Sequence, residues 1–218
     1  MTGSSTIALI DGPLPTDFAA LGRREICCDI ESCEADSTAL RHATQMAHAI
    51  LRNTPGAQID NYVVFPGTLS TSVSSICNAL DLVAQSDAMI VHCSFGLARD
   101  VPRLERSIRS ITAAGKTIVA SAPARGGPVY PAFYRDVIAV QGDARCGPQE
   151  WSRLNLPHAD FGACPSGADP HIGGASIAAA HFSGLYAHQI QLGRDHGMEQ
   201  LATYKGRERI QSVEGPRA

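Results

Sequence analysis

Aromatic and charged side chains are both scarce in this chain, at 6% and 18% of its residues, with a single Trp. Basic charge is not in excess: 18 Lys and Arg stand against 21 Asp and Glu, for a net charge of −3. That balance excludes the basic surface on which nucleic-acid binding depends. No apolar run approaches the roughly 20 residues needed to span a bilayer, so no membrane partner is expected. Met1–Ser5 lacks the basic-then-apolar pattern of a signal peptide, and a cytoplasmic location is expected. No complete dinucleotide or phosphate-loop motif occurs; Gly126-Gly127-Pro128 and Gly173-Gly174 are isolated glycine turns, which sets a nucleotide-binding domain aside. The cysteine count is odd at seven: Cys27, Cys28, Cys33, Cys77, Cys93, Cys146 and Cys164. A dispersed odd set argues against a disulfide framework and for reduced, buried thiols. Cys27, Cys28 and Cys33 could be read as a thiol-rich metal site, but neighbours on a strand point to opposite faces, so no metal is expected.

What is present fits one domain. The chain has 218 residues, 44% of them hydrophobic, enough to bury a core. Short apolar runs at Ile7–Ile10, Tyr62–Phe65, Ala88–His92, Thr117–Ala120 and Val137–Val140 predict strands. Between them, Val73, Ile76, Cys77, Leu80 and Val83 form one helical stripe, and Leu104, Ile108 and Ile111 another, which Gly115 ends. Strand–helix alternation predicts an α/β fold with a mostly parallel sheet flanked by helices. Asp143–Pro148 and Pro165–Pro170 read as loops. Residues 1–204 are expected to form the domain and residues 205–218 a charged, solvent-facing tail.

Three residues carry the chemistry. Ser176 sits in Gly173-Gly174-Ala175-Ser176-Ile177-Ala178-Ala179-Ala180-His181, a small-residue turn entering a helix. On its own such a serine is a helix cap. The same position also meets free N–H groups and the positive end of the helix dipole, which favour an oxyanion. Asp11 ends the apolar strand Ile7–Ile10 and is followed by Gly12-Pro13. His42 opens a helix whose apolar positions are Met46, Ala49 and Ile50. Asp, then His, then Ser is one of the chain orders that a nucleophilic triad takes.

On these residues the chain resembles the subtilisin-like serine proteases, from about Thr6 to about Ala187. Ile10-Asp11-Gly12 is similar to the family's aspartate block, His42–Ala47 to its histidine block and Gly174–His181 to its serine block. Ser94-Phe95-Gly96 resembles the segment lining the substrate cleft, Tyr130-Pro131-Ala132 with Asp136–Val140 the proline turn and its strand, and Asp160–Pro165 the stretch before the serine loop. The resemblance implies a three-layer fold and acyl transfer without metal or cofactor. Ser176 would attack a peptide carbonyl, His42 would take its proton, and Asp11 would orient His42.

The sequence also departs from the pattern. Ala124 falls where the family places an oxyanion-donating Asn, so the oxyanion region reduces to the Ser176 N–H, with neighbouring Arg125 as a test target. Ala43 replaces a Gly, Gln45 a second His and Ala180 a Pro. Almost nothing precedes the first strand, so no inhibitory pro-segment is expected. An unrestrained cytoplasmic protease would be hazardous, which favours one particular peptide or protein substrate. By analogy with similar compact domains, that substrate would be the leader of a ribosomally made peptide. An activating partner or a homo-oligomer stays open. The competing expectation is a scaffold that holds a peptide in the Ser94–Gly96 cleft with a decayed oxyanion hole.

Overall fold

The structure is a computed structural model, and it describes residues 5–28, 37–194 and 197–207. Its elements in chain order are β1 (Thr6–Asp11), β2 (Leu21–Ile26), α1 (Thr38–Asn53), β3 (Gln58–Val63), α2 (Val73–Ala84), β4 (Ile90–Cys93), α3 (Pro102–Ala113), β5 (Thr117–Ser121), β6 (Val137–Gly142), β7 (Trp151–Leu156), β8 (Ala159–Ala163), α4 (Ala175–Gln191) and β9 (Tyr204–Lys205). The strands form one sheet in the order β2-β3-β1-β4-β5-β6-β8-β7-β9. Every pairing is parallel except β7 with β8.

Alternation along each strand sorts its side chains between two cores. Ala8, Ile10, Val91, Cys93, Ile118 and Ala120 face α2 and α3. Ile7, Leu9, Ile90, Val119 and Val140 lie on the opposite face, packed with α1 and α4. Helices on both faces of a mostly parallel sheet make the expected three layers, and they explain why the central strands read as unbroken apolar runs. The stripes of α2 and α3 are buried as expected, apart from a half-buried Val73.

Several boundaries move. The strand expected at Tyr62–Phe65 is β3, Gln58–Val63. Its polar Asp60 and Asn61 are buried, which hid its first half from a reading based on apolar runs. His42 does not open α1: the helix starts at Thr38, and Ser37 caps it by accepting the Leu40 N–H at 3.1 Å. Lys205, expected in the tail, belongs to β9 and pairs with Arg153 of β7. Residues 208–218 lie outside the described residues, as does Cys33. Cys27 is half-buried at the end of β2, and burial, with the neighbouring Cys28 and Glu25, pushes its thiol up to about 11. Among the described residues no cluster of three or more His, Cys, Asp or Glu could hold a metal, and no helix is long and apolar enough to cross a membrane.

Candidate active site

β1 lies at the point where the strand order reverses, with β3 on one side and β4 on the other. In open α/β sheets the crevice at the carboxyl ends of such strands is where sites are built. Asp11 is the last residue of β1 and shares the parity of Ile7 and Leu9, so it faces α1. His42 stands one position before Ala43 of the buried stripe Ala39, Ala43, Met46 and Ile50, at the rim of the face that α1 packs on the sheet. The two therefore meet by construction. His42 Nδ1 lies 3.0 Å from each carboxylate oxygen of Asp11. Gly12 permits the approach: a Cβ there would overlap the Ala39 carbonyl and lie 2.8 Å from the Ala39 side chain.

Asp11 is fully buried and its remaining acceptor capacity is used. The Gly12 N–H donates to Oδ1 at 2.7 Å, and the Ser94 hydroxyl donates to Oδ2. Asn61, buried on β3, pins the turn that follows: its Nδ2 donates to the Gly12 carbonyl at 3.0 Å and its Oδ1 accepts the Leu14 N–H at 2.9 Å. The His42 side chain is 12% exposed. Burial pulls its pKa down, but the hydrogen bond to Asp11 and that residue's charge push it up further, leaving it above the ordinary 6.5.

Ser176 is the second residue of α4 and does not cap it. Gly174 occupies the cap position at φ 93°, a conformation open to glycine, and no side chain bonds the helix end. The cap reading of Ser176 therefore gives way. Its N–H belongs to the first turn, which has no intrahelical acceptor, and its hydroxyl points to the Ser94 carbonyl at 3.4 Å. Behind it, the buried His181 ties the serine loop to α1. Its Nε2 donates to the Ser166 carbonyl at 3.2 Å, and its Nδ1 accepts from Asn53 at 3.2 Å.

A cavity of about 390 Å³ opens over this edge, and His42, Ser94, Phe95, Gly96 and Ser176 line it together. Phe65, Leu69, Val73, Ile76 and Leu97 give it an apolar flank. Leu97 and Tyr130 exchange backbone bonds of 2.8 and 2.9 Å, which fixes the far end of the Ser94–Gly96 segment. Ala124 and Arg125 are not brought to this cavity: both are exposed on the loop after β5, and neither lines it.

The sequence reading misses three positioning groups: the Ser94 hydroxyl, Asn61, and Gln45, whose Oε1 accepts the Asp169 N–H at 3.2 Å. Ser94 is legible in the sequence only as part of the segment that lines the cleft. Asn61, a polar residue inside an apolar strand, is the available signal for the second. Gln45 stands there only as a departure at a histidine position.

No family model matches the chain, and no curated protein matches it in sequence. Solved structures do share its fold. A cold adapted subtilisin-like serine proteinase superposes with a TM-score of 0.68 at 18% identity, over 89% of this chain and 78% of that one. The prenylagaramide maturation protease PagA gives 0.60 at 19%, over 87% and 78%. A lanthipeptide protease gives 0.69 at 16%, over 91% and 77%. The chain has the subtilisin-like fold.

Proposed function

We propose that the chain is a serine endopeptidase that cleaves a particular peptide, with Ser176 as nucleophile, His42 as general base and Asp11 as the group that orients His42. The observation that carries this reading is the Asp11–His42 pair, with a carboxylate on the Nδ1 side, next to a non-capping serine on the wall of the same cavity. A carboxylate bonded to Nδ1 leaves Nε2 as the base and stabilises the imidazolium that forms. For the reaction, the Ser176 hydroxyl would leave the Ser94 carbonyl for His42, which lines the same cavity. Ser176 Oγ would then attack the carbonyl carbon as His42 takes its proton, and His42 would return that proton to the departing amine. The Ser176 N–H would donate to the developing oxyanion.

Ala124 supplies no second donor, so turnover would be slow. Loss of one such donor costs about 10²–10³ in rate, or about 2.7–4 kcal/mol. Slow turnover and an apolar flank on the cleft suit a narrow substrate. Because a prenylagaramide maturation protease and a lanthipeptide protease share the fold, removal of a leader from a ribosomally made peptide is the finer form of this proposal. A cytoplasmic location goes with it.

The second reading is a peptide-binding scaffold, favoured by the absent Asn at Ala124 and by the Ser176 hydroxyl resting on Ser94. Incubating peptides encoded beside the gene with the protein, and reading the products by mass spectrometry, separates the two. Defined cleavage that Ser176→Ala abolishes supports the peptidase. Tight binding of an uncut peptide by both proteins supports the scaffold.

A further inference from the structure

His42 is shared by two cavities. Beyond the one that holds Ser176, a second of about 510 Å³ is lined by Arg41 and His42 of α1, by Asp169, His171 and Ile172 of the loop before α4, and by Leu69. The loop carrying Asp169 is held in several places. Ser166 and Gly173 close it as an antiparallel bridge, and the Gly174 N–H donates to the Pro165 carbonyl at 2.8 Å. The Asp169 N–H is bonded to Gln45 of α1, and the His171 N–H donates to Asp169 Oδ1 at 2.8 Å. Asp169 is half-buried and takes part in no ion pair among the described residues, although Arg41 borders the same space.

We propose that this second cavity receives the residue following the scissile bond and that Asp169 selects a basic side chain there. The inference rests on the peptidase reading for its direction. With the acyl half of a peptide along Ser94–Gly96, the amine that accepts a proton from His42 departs on the other side of that ring, into this cavity. Leu69 and Ile172 would cover the methylenes of a Lys or Arg, and the open Oδ2 of Asp169 would meet its charged head. Arg41 does not reverse the preference. It is exposed, on a long side chain, so its charge moves and is screened, whereas Asp169 is half-buried, its carboxylate accepting the His171 N–H and its backbone N–H tied to Gln45 of α1.

The test titrates the ¹⁵N-labelled protein with Lys-Ala-amide, Ala-Ala-amide and Glu-Ala-amide and follows backbone amide shifts. The lysine peptide is expected to bind about fivefold more tightly than the alanine one, the upper range for a partly exposed ion pair, with shifts concentrated at residues 38–42 and 169–173. Asp169→Asn keeps the acceptor for the His171 N–H and should erase the difference, while Arg41→Gln should enlarge it. Equal binding of the three peptides, a preference for glutamate, or shifts confined to other parts of the chain would overturn the proposal. The peptidase reading is judged separately, by cleavage in the wild type. A lysine preference in a protein that cuts nothing would refute that reading and leave Asp169 as the selector of a bound peptide.

Discussion

Replacing Asp11 with Asn keeps the shape of the buried side chain and removes its charge. An amide oxygen at the Oδ1 position can still accept the Gly12 N–H, but the amide nitrogen at the Oδ2 position carries hydrogens where Asp11 now accepts from Ser94 and, at 3.0 Å, faces His42 Nδ1. Losing one charge-assisted bond at this fully buried position should cost about 1–3 kcal/mol of stability. The effect on reactivity is larger, because an amide nitrogen facing Nδ1 holds the wrong tautomer of His42; a cost of about 10⁴ in rate is expected. The pH dependence gives a sign that can be checked independently. In the wild type, burial lowers the His42 pKa and Asp11 more than offsets it, so labelling of Ser176 by a fluorophosphonate should rise with pH through a midpoint above 6.5. In Asp11→Asn only the burial remains, so the midpoint should fall below 6.5. Stability follows the same groups. His42 with a raised folded pKa stabilises the wild type below pH 6.5 and loses that contribution as pH rises through the folded value. In the variant a lowered pKa reverses the sign, so the gap in stability should widen on acidification. The assay is the labelling rate from pH 5 to 9, with the His42 ring titrated by NMR in both proteins. A midpoint that stays above 6.5 in Asp11→Asn would refute the assignment of Asp11 as the group that raises it.

Gly12→Ala should force α1 from β1, since its methyl would overlap the Ala39 carbonyl; a loss of about 1–3 kcal/mol in denaturant unfolding and a collapse in labelling are expected. Ala124→Asn should leave turnover on a cleaved peptide unchanged, because position 124 is exposed on the loop after β5 and does not line the cavity; a gain of about 10²-fold would show that this loop closes over the oxyanion. Ser94→Ala removes one donor to the Asp11 carboxylate and should destabilise by about 1–3 kcal/mol in thermal unfolding.

Much of this architecture is legible in the sequence because β1, β4, β5 and β6 are covered on both faces, so their sequences are nearly continuous apolar runs. β2 is not, since its Leu-Gly-Arg-Arg-Glu-Ile lies at the sheet edge, where charged side chains reach solvent and the pattern is lost. β7 and β9 escape for a related reason. They carry polar residues, and the two residues of β9 are a strand only because β7 offers them an edge. At the site, Asp11, His42 and Ser176 can be chosen from their motifs, and Gly174 before Ser176 marks the helix entry. The Ser94 hydroxyl on Asp11 and the Gln45 clasp on the Asp169 loop depend on residues 83 and 124 positions apart, a tertiary pairing that no local pattern encodes. The start of α1 is misplaced because Ser37 acts as its cap from outside the apolar repeat.

The most direct measurement is fluorophosphonate labelling of the whole chain, with the modified residue located by tandem mass spectrometry. With Ser176 as the proposed nucleophile and His42 as its proposed base, a single adduct on Ser176 is expected, lost in His42→Ala as well as in Ser176→Ala. A folded protein that takes up no label, or takes it up equally without His42, would contradict the account.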